Sequence, residues 1–122
     1  MAITKFAKEY HEKMFPNYVS KFAQTDLEFI ELFDNFAFDE VINMPEIGGK
    51  EVDGKIRHIA ILATLLGCQG IDEFKVMLPV AMNFGVTPVE IKEITYQAVA
   101  YLGIGRVFPF LKAVNEFLER QG

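Results

Sequence analysis

The side chains in this sequence equipped for chemistry are few, and most fall between Lys55 and Arg106. Of the two histidines, His58 opens an apolar stretch, whereas His11 lies among Lys and Glu residues that read as an exposed helix face. Imidazole is the side chain best matched to proton transfer near neutral pH; a histidine at a helix start equally serves as a structural group bonded to a carbonyl. Glu73 precedes Met77 by one helical turn, so the two share a face. An acid/base carboxylate is one use of that position, and a first-turn Glu complementing the helix dipole is the other. Arg57 has the fork that holds a carboxylate bidentately, or it sits in an ion pair. Cys68 is the one cysteine. Such a residue is usually a small hydrophobe, and it becomes a lone-thiol redox centre where a helix N-terminus or His58 stabilises the thiolate. Tyr101 and Arg106 flank the AYLGIGR turn, either reaching a pocket or simply packed and solvated. Met77 facing a pocket, with Phe74 near it, suits an apolar ligand.

Other chemistries find no support. Two distant histidines and dispersed carboxylates lack the ligand spacing of helical metal sites. GCQG has no strand before it and lacks the pattern of a phosphate-cradling loop. No cofactor or metal is expected.

Helical signals dominate the elements that position these groups. Ile3 to Phe15 places Phe6, Ala7, Tyr10 and Met14 at helical spacing, and Pro16 ends or bends that helix. A second helix opens at Thr25 or Asp26, with Leu27, Ile30 and Phe33 or Phe36 on one face. Asn43 to Gly54 reads as the one long connector, with room for a short helix before it. Asp53 is a fair cap for a third helix, Gly54 to Leu66, apolar all round and broken by Gly67 and Gly70. The fourth, Ile71 to Phe84, turns Phe74, Met77, Leu78, Ala81 and Met82 inward, and Gly85 supplies a left-handed stop. Thr87-Pro88-Val89-Glu90 carries a cap, Pro at the first helical position and a capping-box Glu. That fifth helix ends near Leu102 at Gly103 and Gly105. The sixth puts Val107, Phe108, Leu111, Val114 and Leu118 on one stripe. The expectation is all-α: one helical domain over residues 1–122, a bundle of about six helices.

Composition narrows the partners. A chain of 122 residues that is 51% hydrophobic, with 12 Phe and no Trp, carries more apolar surface than one small domain hides, so a homo-oligomeric interface is expected. The net charge of −5 and the absence of a basic face argue against nucleic acid. The first fifteen residues lack the apolar core of a signal peptide, and the longest apolar run, Ile59 to Cys68, is about half of a membrane span. The expectation is a cytoplasmic protein with no membrane partner.

From Val52 to Gly103 the order of motifs is distinctive. DGK-x-R opens it, N-x-G-V-T-x-x-E-I stands in the middle and AYLG closes it, with a weaker echo in NFAFDEV upstream. This order resembles the carboxymuconolactone decarboxylase family, which includes the alkyl-hydroperoxidase-D-like thiol enzymes. The resemblance implies a helical subunit that assembles into trimers or hexamers, with sites near subunit contacts. The family's C-x-x-C pair and following His fall on Gly70, Glu73 and Met77, so both thiols and that His are absent. His58 stands where the family often has a Glu after its Arg. A thioether cannot shuttle protons, so the resemblance assigns proton transfer to His58 and Glu73. Arg57 then binds the carboxylate of a small substrate, a lactone among the candidates, with Met77 and Tyr101 as further contacts. Two other readings accompany it: a thiol peroxidase using Cys68 and an outside thiol, and a non-catalytic oligomeric small-ligand binder.

Overall fold

Thr4 starts the first helix: its hydroxyl accepts from the Ala7 N–H at 3.2 Å, capping α1 (Lys5–Met14). The computed structural model describes residues 2–46 and 51–121. Within it α1 is followed by α2 (Phe22–Thr25), α3 (Leu27–Asn35), a π-turned segment (Phe36–Glu40), α4 (Gly54–Gly67), α5 (Ile71–Asn83), α6 (Pro88–Leu102) and α7 (Ile104–Gln121). No strand occurs among the described residues. The fold is all-α, with seven α-helices among the described residues in place of about six, because the short α2 precedes Asp26 and the expected second helix. The short helix foreseen before the connector is the π-turned segment. Part of that connector, residues 47–50, lies outside the described residues.

The chain divides into two compact units, residues 1–53 and 54–122. In the first, α1 packs on α3 and the π-turned segment. Asn35 is buried, and its amide is bonded at both ends: Oδ1 accepts from the Thr4 N–H at 2.8 Å and Nδ2 donates to the Ala2 carbonyl at 2.9 Å. A buried amide left unbonded would cost several kcal/mol, roughly 1–3 on mutational scales, so this clamp fixes how α1 meets α3. Asp39, on the π-turned segment, accepts from the Thr4 hydroxyl and the Asn43 amide. These two bonds hold its carboxyl below the usual carboxylate range.

The second unit is a four-helix cluster in which α4 packs on α5 and α6, and α7 on α5 and α6. Its core is assembled from one stripe of each helix: Leu62 and Leu66, Phe74 and Leu78, Ile91 and Ala98, Phe110 and Val114. The Phe74 and Phe110 rings meet edge to face, centroids 5.0 Å apart, a geometry that aligns the positive ring edge with the negative face. Phe110, rather than the expected Phe108, fills the core; Phe108 is exposed.

Turn chemistry follows local rules with one exception. After α5, the Gly85 N–H bonds the Met82 carbonyl and the Val86 N–H bonds that of Ala81, while Gly85 sits at φ +95°. This is the two-bond glycine stop that the sequence implies. At the end of α4 the same pair of bonds runs from Gln69 to Leu66 and from Gly70 to Leu65. The left-handed residue there is Gln69, φ +62°, and neither Gly67 nor Gly70 supplies it. Gly67 remains helical, and Gly105 likewise belongs to α7 rather than to the break before it.

Candidate functional site

His58 lies one turn into α4 and is 1% exposed. Its Nδ1 is 2.8 Å from the carbonyl oxygen of Gly54, one turn earlier. A carbonyl only accepts, so Nδ1 carries the proton in the neutral ring and Nε2 carries the lone pair. The imidazole also lies flat on Phe84, with centroids 4.0 Å apart and planes 12° from parallel. Phe84 is brought there by the end of α5, where its N–H bonds the carbonyls of Val80 and Ala81. Gly54 makes room for the ring, since a Cβ at that position would stand 2.6 Å from Phe84 Cδ1. Gly54 therefore serves twice, through its carbonyl and through its missing side chain.

The start of α4 is also tied to the start of α6. Glu90 completes the capping box, accepting from the Thr87 N–H at 2.9 Å through Oε1, while the Thr87 hydroxyl accepts from the Glu90 N–H at 3.1 Å. Its other oxygen, Oε2, is 3.0 Å from Lys55 Nζ. The Thr87 N–H first, and then Lys55, hold the Glu90 carboxyl below its ordinary range.

The other expected site residues are placed differently. Arg57, next to His58, is half-buried. Glu73 is exposed in the first turn of α5, and Met77, one turn on, packs against the core. Tyr101 is 85% exposed near the end of α6, and Arg106 donates from Nη1 to the Leu102 carbonyl at 3.1 Å. Cys68 is exposed, its Sγ 3.7 Å from the Leu65 carbonyl, so an acceptor, not a cation, is the polar group nearest to the thiol among these contacts. The structure thus gathers Gly54, His58 and Phe84, beside Lys55 and Glu90, and leaves Glu73, Cys68 and Tyr101 facing solvent. Phe84 and Gly54 escaped sequence reasoning as partners of His58. The signals for them were the Gly in DGK and the aromatic directly before the glycine stop.

An all-α chain with this helical order and capped turn is the frame of a carboxymuconolactone-decarboxylase-like protein. The model of the Carboxymuconolactone decarboxylase family matches residues 28–116, and the chain belongs to that family. No curated protein and no solved structure matches it. Among the described residues no three of His, Cys, Asp and Glu are grouped so as to hold a metal ion, and no helix is long and apolar enough to cross a membrane.

Proposed function

We propose that the protein is an enzyme that acts on a small carboxylated substrate, such as a lactone, by acid/base chemistry with His58 as the proton-transfer group. The observation that carries this reading is the Nδ1 contact to the Gly54 carbonyl at 2.8 Å. It fixes the tautomer and leaves Nε2 as the nitrogen that takes up a proton and passes it on, the arrangement an acid/base group requires. Decarboxylation breaks the bond to the carboxylate carbon and leaves the electron pair on the substrate as a carbanion or enolate. CO2 departs, and a proton gained by Nε2 from solvent is delivered to that carbon. Arg57 anchors the carboxylate, and Glu73, open to solvent, is the second proton-transfer group. With His58 1% exposed, substrate reaches Nε2 only through an opening of its cover. Turnover is accordingly limited by that motion or by the chemistry that follows.

The test is CO2 release across a panel of carboxylated lactones by wild type and by His58→Ala and His58→Gln. The expected result is a loss of roughly 10²-fold or more in turnover for both variants with helical content unchanged, the usual range for removing a general acid or base. Binding without turnover in wild type would replace this reading with the non-catalytic binder, which the burial of His58 favours. Peroxide consumption abolished by Cys68→Ser would replace it with the lone-thiol reading, which the exposure of Cys68 favours. We also infer a homo-oligomer, from the exposed apolar residues Phe29, Leu32, Phe33 and Phe36; three or six subunits is the number that the family resemblance implies.

A further inference from the structure

The first unit holds a second place where charge and cavity coincide. A half-open pocket of about 160 Å³ lies between α1, α3 and the chain joining them. Ile3, Val19, Ala23 and Ile30 give it an apolar wall, and Asp34 of α3 stands in its lining while only 8% exposed. Burial pushes the Asp34 carboxyl above its usual range, and the nearby His11 charge pulls it partly back. Among the described residues no cation comes within ion-pairing range of Asp34. With His11 the only charge among those residues acting on it, the Asp34 carboxylate opens onto the pocket partly desolvated, and a ligand cation is the group that offsets that desolvation. His11, expected on the surface, is half-buried, its ring against those of Phe15 and Phe38, and it lines the same pocket. The remaining titratable groups of the lining are Lys8, which is exposed and so solvent-screened, and Tyr18 of the connecting turn. The volume is close to the ~150 Å³ of a cavity that encloses benzene.

We propose that this pocket binds a small primary amine with an apolar body of about benzene's size, its ammonium set against the Asp34 carboxylate and its hydrocarbon part against Val19, Ala23 and Ile30. The site is independent of His58 and of the decarboxylase reading.

Benzylamine, benzyl alcohol and benzoate are titrated into the full chain and followed by amide chemical shifts. Saturable benzylamine binding is expected, about tenfold tighter than benzyl alcohol, which corresponds to about 1.4 kcal/mol for the charged contact, with benzoate not bound. Asp34→Asn brings the amine down to the level of the alcohol, and Ala23→Phe, which fills the pocket from the surface helix α2, removes both. No saturable benzylamine binding, benzoate binding as well as the amine, or Asp34→Asn binding amine like wild type would each overturn the proposal. If Asp34→Asn does not fold, the ligand ranking on wild type and the Ala23→Phe variant decide it.

Discussion

Because the Gly54 carbonyl fixes the proton of the neutral ring on Nδ1 and Phe84 lies flat against the imidazole, His58 has one tautomer and one ring plane in the folded chain. Both constraints run through Gly54. In Gly54→Ala the new Cβ would approach Phe84 Cδ1 to 2.6 Å, well inside contact distance, so Phe84 is forced off the stack. Overpacking of this kind costs about 1–3 kcal/mol. The expected outcome is a lower denaturation midpoint together with shifted His58 ring resonances; unchanged ring resonances would show that Phe84 does not position the imidazole. His58 was legible in the sequence because imidazole near the start of an apolar helix is rare enough to notice. Its partners were not, because the approach of Phe84 to Gly54 is a tertiary contact between α4 and the end of α5 that no periodicity encodes. Asp34 and His11 were hidden for the opposite reason: each reads as an ordinary helix-surface charge, and only the packing of α1 against α3 buries the carboxylate.

Where an element ends by a local rule, the sequence announced it. Thr87, Pro88 and Glu90 act within one turn of chain, and the capping box forms with both of its bonds. Gly85 supplies the left-handed residue after α5 as glycine usually does. The end of α4 broke the expectation, since its left-handed position falls on Gln69 although glycines stand two residues before it and one after it. The register of the buried stripe explains the choice: Leu62 and Leu66 must both face the core, which sets how far the helix runs and therefore which residue comes next. A non-glycine residue in that conformation costs roughly 1–2 kcal/mol, reduced here by the Gln69 Nε2 bond to the Leu66 carbonyl at 2.9 Å. Gln69→Gly is therefore expected to stabilise the protein, by up to about 1 kcal/mol after the loss of that part-buried bond and the extra backbone entropy. The mirror change, Gly85→Ala at φ +95°, is expected to destabilise by about the same amount. Chemical denaturation of the two variants should move the midpoint in opposite directions, and movement in the same direction would refute the assignment of the two stops.

At the scale of the molecule, α3 is turned inside out. Its buried residues are Asp34 and Asn35, whereas Phe29, Leu32, Phe33 and Phe36, spaced as one helical stripe, are exposed, Phe29 to 64%. Composition foretold an excess of apolar surface, and periodicity foretold an apolar face on this helix. Neither could say that the face would point outward, because that depends on the Asn35 clamp onto Thr4 and Ala2, which takes the polar side of the helix inward. Full burial of an exposed side chain of this kind contributes about 1.5–3 kcal/mol; with roughly half of each still exposed, the four on one chain give about 3–6 kcal/mol, against a cost of association of ~4–15 kcal/mol. A contact in which two copies each bury this stripe doubles the gain without doubling that cost, which favours self-assembly over a solvated stripe. Phe29→Lys with Phe33→Lys places two charges in the middle of the face, where each loses its hydration on contact. The wild type is expected to elute as an oligomer by size-exclusion chromatography with light scattering at micromolar concentration. The double variant should shift to the 13.9 kDa monomer with its helical circular dichroism retained. A wild type that is already monomeric under these conditions would mean that α3 does not carry the interface.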